Sequence, residues 1–524
     1  MRFNVLLFLS LLPAFAQTPN ADDVVWENAV HKFDSARAAL LRQVDAQGNN
    51  GPFRPNWDSL KHYQVPAWYV DGKFGIFLHW GVYSVPAFGN EWYPRNMYNQ
   101  GTPEFKHHVA TFGPQSKFGY KDFIPMFKAE KFDAKAWADL FRKAGAKYVV
   151  PVAEHHDGFA MYNSDLSDWS AAKMGPHRDT TGELAQAVRA AGLHFGVSSH
   201  RAEHYFFLNA GREIDSDVRD PKFAGFYGPA HAGVTDKNKA NWAAHPDTAY
   251  LNDWLARSAE MVTKYQPEIL WFDWWIETKE FEPYRQRLAA FYYNDAARRG
   301  STAAINYKDN AFPPEAAVLD IERGQSDQIL PRFWQTDTSV SVKSWGYIDH
   351  DTFRSPESMV QELVDIVSKN GALLLNVGPK SDGTIPEQAA NVLLAMGRWL
   401  SVNGEAIYGT RPWKISGEGP TKVVGGSFND TATKPYTSSD IRFTTRGGVL
   451  YAIALGWPQD GKIKIQSLAR GSKVMDSEIA DVKLLGSNDK LKWTRDNDGL
   501  GIELPARRTG EFAWAFRIAP AGRK

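Results

Sequence analysis

The residues best suited to chemistry are acids and histidines standing at the ends of apolar runs. Ile269-Leu270-Trp271-Phe272 follows Gln266-Pro267-Glu268 and ends on one carboxylate, Asp273, which is followed by Trp274 and Trp275. A strand buried on both faces until a single acid at its C-terminal end is how a (β/α) barrel presents a reactive group beneath a sugar-sized pocket. By the same rule, other predicted strand ends carry His79, His155 and His156, Ser198-Ser199-His200, Asn306 and Glu322. Any one of them alone is more simply a loop residue satisfied by hydrogen bonds. Their meaning comes from falling on one rim. Two carboxylates on such a rim are what retaining glycoside hydrolysis needs: one attacks the anomeric carbon, and the other protonates the leaving oxygen and then activates water. Asp273 is the expected nucleophile. Glu322, in Leu319-Asp320-Ile321-Glu322-Arg323-Gly324, is the expected acid/base; Asp320 and Glu277 compete with it, and its bland alternative is a surface ion pair with Arg323.

Two other readings use the same residues. His200-Arg201-Ala202-Glu203-His204 matches the zinc hydrolase pattern H-x-x-E-H, which needs both histidines one turn apart on a helix. Here the segment follows directly on a strand predicted over 195–199, where a loop is expected. His155-His156 is a poor chelate, because neighbours on a strand point opposite ways. At a strand end the pair serves better as two separate donors to hydroxyls. The last reading is a carbohydrate-binding barrel that kept the pocket and lost the chemistry; the presence of both carboxylates argues against it.

Positioning these groups takes alternating helices and strands. Phe132 to Gly145 has Asp133 as N-cap, apolar residues at helical spacing and Gly145 as the stop, and a strand at 148–153 follows at once. The unit repeats: Thr180 and Glu183 form a capping-box pattern ahead of a strand at 193–199, and further helix–strand pairs end at 272, 306 and 377. With strands at 73–79, 317–321 and 332–336, about eight fall between residues 70 and 380, the number a closed parallel barrel needs. Beyond Pro412 the pattern becomes short alternating segments at 449–455, 462–465, 482–485, 500–504 and 512–518 between Gly, Pro, Asn and Asp. The predicted fold is an irregular (β/α)8 barrel over 67–412 followed by an antiparallel β-sandwich over 413–524. Residues 17–66, with a helix predicted at 30–44, form a leader that wraps the barrel.

Composition sets the outer bounds. With 524 residues and 43% hydrophobic content the chain fills two domains. Lys+Arg and Asp+Glu both number 60, which argues against a nucleic-acid partner. Residues 1–16, with Arg2, an apolar run and Ala14-Phe15-Ala16, read as a secretory signal cleaved after Ala16. Export to the periplasm or the medium follows, without a lipid-anchored cysteine or disulfides, since the chain has 0 Cys. Later apolar runs are too short to span a membrane, and the sequence sets no oligomeric state.

Long ordered stretches carry a resemblance to the α-L-fucosidases of glycoside hydrolase family 29: Phe74 to Pro86, Glu91-Trp92-Tyr93, Phe132 to Gly145, His155-His156-Asp157-Gly158-Phe159, Leu270-Trp271-Phe272-Asp273, Ser344-Trp345-Gly346-Tyr347 and Asn403 to Gly409. What the resemblance implies is a barrel plus sandwich that removes terminal α-L-fucosyl residues from glycans with retention, without a metal or other cofactor. By motif, His79, Glu91, His155 and His156 would bind fucose hydroxyls, Trp92 and Trp271 would line the pocket, and Asp273 would be the nucleophile. Glu322 carries over as the acid/base. Two departures stand out. Glu154 replaces a family lysine, and the strand-three loop holds His200 to His204 where a tyrosine is common, so His200 or His204 would take over that sugar contact. The nearest cation to a missing family arginine is Lys308, a point charge where arginine offers a fork.

Overall fold

Eight short runs close into one parallel barrel: β1 (Phe74–Leu78), β2 (Tyr148–Glu154), β3 (His194–Ser199), β4 (Ile269–Phe272), β5 (Ala304–Tyr307), β6 (Val318–Glu322), β7 (Trp334–Ser339) and β8 (Gly371–Val377). Each pairs with the next, and β8 closes on β1 through Phe74 opposite Leu373. The computed structural model describes residues 21–232, 245–475 and 477–521, so the expected signal segment lies outside the described residues. β1, β4 and β8 are nearly all apolar because both faces are covered, one by helices and one by the barrel interior, whereas β7 is buried despite being Trp-Gln-Thr-Asp-Thr-Ser. Gly75 matters here: a Cβ on it would sit 2.2 Å from the Tyr148 ring. Its absence lets Tyr148 plug the barrel, where Tyr148 and Tyr69 donate to Gln335 Oε1 at 2.8 and 2.6 Å.

The outer helices start where side chains cap them. Asp133 accepts from the Ala136 amide and opens Ala134–Lys143; Ser355 accepts from Ser358 and opens Pro356–Ser368. The helix Thr180–Ala190 corrects the expected capping box. Its cap is Asp179, one residue earlier, which accepts from the Gly182 amide, while Glu183 pairs with Arg178. Thr180 donates to the Met161 carbonyl instead. The leader also differs from the single helix predicted: Ala21–Val30 and Asp34–Gly48 are split by a 3-10 turn. Arg37 of the second helix reaches the buried Asp253 at 3.0 Å and so ties the leader to the helix Thr248–Tyr265.

After the helix Glu387–Asn403, the chain forms β9 (Arg411–Glu418), β10 (Ile441–Arg446), β11 (Val449–Ala454), β12 (Lys462–Ile465), β13 (Ile479–Leu484), β14 (Lys492–Arg495), β15 (Leu500–Glu503) and β16 (Trp514–Pro520). Their antiparallel sheets run β13-β16-β11-β10-β9 and β12-β15-β14. Phe443, Ala452 and Phe516 of one meet Ile463, Ile465 and Ile502 of the other in a shared core. The sandwich docks on two barrel helices through buried polar contacts. Gln361 donates to the Leu455 carbonyl at 2.7 Å, Trp399 to the Ala513 carbonyl at 2.7 Å, and Arg442 pairs with Asp365 at 2.6 Å. Among the described residues no helix is long and apolar enough to cross a membrane.

Candidate active site

The C-terminal ends of the barrel strands surround a cavity of about 540 Å³ lined by His79, Glu91, Trp92, His155, His156, His200, Glu203, Trp271, Asp273, Trp274 and Glu322 among others. His79 follows β1, His155 and His156 follow β2, His200 follows β3 and Asp273 follows β4, while Glu322 is the last residue of β6. The parallel register carries every strand end to the same rim, which is why residues scattered over the sequence converge.

Asp273 is held by two imidazoles on one oxygen. His200 Nδ1 donates to Oδ2 at 2.9 Å, and His156 Nε2 lies 3.3 Å from the same atom. His200 is fixed in that tautomer because its Nε2 accepts from Ser198 Oγ at 3.1 Å. His156 is fixed by Glu203, 3.0 Å from Nδ1. Burial disfavours charge on Asp273, but the two imidazoles overcome it and hold the carboxyl well below the usual range. Burial likewise opposes a charged His156, yet Glu203 and Asp273 push it up to about 10.

Glu322 is in the opposite state. Burial pushes it up to about 7, the negative Asp273 adds to the rise, and the Lys308 charge and the Trp274 N–H, 2.5 Å from Oε2, oppose it. Lys308 is the largest influence opposing the rise, yet it does not overcome burial, since its charge is shared: Nζ lies 2.7 Å from Asp320, 2.5 Å from Asp337 and 3.8 Å from Glu322. Asp320 also accepts from Trp271 and Gln335 and is held low, whereas burial and the Asp320 charge push Asp337 well up. One cation thus faces one firm anion, and Glu322 holds its proton up to about pH 7.

Placement revises several expectations. Lys308 does not line the cavity; it lies buried behind the wall, over the Trp271 ring at 4.8 Å. Asp320 is committed to Lys308 and Glu277 is not part of the lining, whereas Glu322 lines the same cavity as Asp273. The H-x-x-E-H pattern does not converge on an ion: His200 serves Asp273, while His204 donates to the His156 carbonyl at 2.8 Å and burial pushes it down to about 3. One ring nitrogen each from His79, His155 and His200 lie within 4.8 Å of one another, as metal ligands can. However, both ring nitrogens of His200 are taken, by Ser198 and Asp273. Glu154 is locked under the rim by Arg201 and Arg257, which share Asp253 and fix the short helix Arg201–His204.

Two site features escaped the sequence reading. Glu203 was legible only as a zinc-pattern acid, yet it orients His156 and leaves Oε1 buried without a partner on the cavity wall, as His155 Nδ1 also is. Phe428 joins the cavity lining from beyond β9, and nothing in local spacing announces it.

Comparison with known proteins agrees with this geometry. The family model for α-L-fucosidase matches residues 40–405, and that for the α-L-fucosidase C-terminal domain matches 429–519. The chain is 31% identical to human tissue α-L-fucosidase over 477 residues, 89% of this chain and 91% of that one. It is 33% identical to human plasma α-L-fucosidase over 492 residues, covering 89% and 92%. A solved Thermotoga maritima α-fucosidase in complex with fucose superposes with a TM-score of 0.70 at 31% identity, over 89% of this chain and all of that one. The chain belongs to the α-L-fucosidases of glycoside hydrolase family 29.

Proposed function

We propose that the chain hydrolyses terminal α-L-fucosyl bonds of oligosaccharides or glycoconjugates by double displacement with retention, Asp273 acting as nucleophile and Glu322 as acid/base. The observation that carries this is the opposed charge state of two acids on one cavity, Asp273 held ionised and Glu322 pushed up to about 7. His200 and His156 occupy Oδ2 of Asp273, so Oδ1 is the oxygen that attacks. In the first step the Oδ1–C1 bond forms as the bond from C1 to the leaving oxygen breaks, and Glu322 gives that oxygen its proton. In the second, water attacks C1, the ester to Asp273 breaks, and the water proton passes to Glu322. His79, Glu91 and His155 bind the fucose hydroxyls, with Trp92 and Trp271 against its apolar parts. His156, expected from the sequence to join them, has its two ring nitrogens on Glu203 and Asp273 and holds the nucleophile instead. Lys308 acts through Glu322 by setting its charge, without touching the sugar.

The reading includes export through the N-terminal segment with cleavage after Ala16, and a division into leader, barrel and sandwich at about residues 66 and 412. The deciding experiment follows an aryl α-L-fucoside by NMR. The first-formed fucose should be the α anomer, and turnover should survive a chelator. A β anomer first would overturn retention; loss with the chelator would revive the metal reading.

A further inference from the structure

We propose that Phe428 and Trp274 form the platform for the leaving group, and that the group they select is a hexopyranose joined to fucose directly through the oxygen that Glu322 protonates. This rests on Glu322 as the acid/base. Trp274 donates to Glu322 Oε2, so its indole stands beside the leaving oxygen. Phe428 lies nearly parallel to it, 16° between planes and 6.4 Å between centroids, on the wall of the same cavity. Two rings facing one way next to the acid present an apolar floor, the surface that the C–H face of a pyranose covers.

Three further observations make this a built feature. Phe428 is 63% exposed, the most exposed large apolar residue among those described, where burial would be the default for such a ring. Its φ is +60°, a left-handed conformation that a bulky side chain rarely adopts and that persists where surroundings enforce it. The surroundings do enforce it: Gly426, Phe428 and Asp430 amides donate to the Gln325, Glu322 and Arg323 carbonyls at 2.9, 2.8 and 2.8 Å. The segment leading into the sandwich is thereby sewn onto the strand end that bears the acid. Gly324 permits the approach, since a Cβ there would lie 2.0 Å from the Gly426 carbonyl oxygen. Arg323, whose guanidinium covers the Trp345 ring at 4.5 Å, and Lys343 complete a polar edge for hydroxyls.

The test compares α-L-fucosyl fluoride, whose leaving group cannot reach the platform, with the best-hydrolysed member of a panel of isomeric α-L-fucosyl disaccharides. For Phe428→Ala, kcat/KM on the disaccharide should fall about tenfold, the size of a lost stacked face, while the fluoride stays within about twofold. Phe428→Tyr should keep the parent ratio, and kcat on the fluoride, which reports Glu322 as base, should be unchanged in both variants. Equal losses on both substrates, an unchanged disaccharide, or a parent enzyme that turns over the fluoride but no disaccharide would each overturn the platform. Failure of the parent enzyme on the fluoride would instead strike the fucosidase reading beneath it.

Discussion

A proton that leaves Glu322 near pH 7 sets the alkaline edge of catalysis. The folded pKa is raised, so the acid form is present below that pH and lost above it. kcat/KM on a disaccharide should therefore fall about tenfold per pH unit on the alkaline side. Asp273, held well below the usual carboxylate range, keeps its charge far into acid, so the acid limb should be late. Glu322→Gln should abolish the alkaline limb and slow disaccharides far more than aryl fucosides. Asp273→Ala should cost about three or more orders of magnitude on an aryl fucoside, in the range seen for loss of a residue acting covalently, and azide should restore part of it. Lys308→Met distinguishes a charge-setting residue from a sugar ligand. Removing the cation that opposes the raised Glu322 pKa should move the alkaline limb upward, whereas loss of a sugar contact would raise KM and leave the limb in place. Asp273 was legible because one acid ends an apolar strand. Lys308 was misplaced because the same strand end can serve either the cavity or the charges behind it, and only the partners Asp320 and Asp337 decide.

At the scale of elements, the segment 426–430 and the end of β6 act as one unit. Gly324→Ala should push the segment off Glu322 and reproduce the selective loss of disaccharide turnover, read by the same fluoride-to-disaccharide ratio. Asp179→Ala should cost about 1 kcal/mol or more in denaturant unfolding, since it removes both the cap of Thr180–Ala190 and the bonds from Tyr265. Most barrel strands were readable because buried runs alternate with capped helices; β6 and β7 follow β5 with no helix between and were read from their short apolar starts alone. β9, β10 and β14 were not. Arg411-Pro412 masks the start of β9, β10 mixes Ile and Phe with Arg and Thr, and β14 alternates Lys, Trp, Thr and Arg on a half-exposed edge. Asp179 lost to Thr180 on paper because both are good caps, and the choice rests on where Met161 offers a carbonyl.

Across the whole molecule, barrel and sandwich share buried charge. Arg442 spans them to Asp365, which Lys369 also holds at 2.6 Å. Arg442→Met should lower stability by about 3 kcal/mol, because a buried acid loses a partner, and scanning calorimetry should show one shifted transition rather than two. That contact joins residues 77 apart in sequence, and no pattern of spacing or hydropathy encodes it. The balanced net charge of +0 implies weak long-range steering, so kcat/KM on uncharged glycans should change little with salt. The left-handed backbone at position 428 carries one more consequence. Glycine fits that geometry without strain, so directed evolution for heat tolerance alone would favour Phe428→Gly. The winning clones would survive longer and discriminate less between leaving groups.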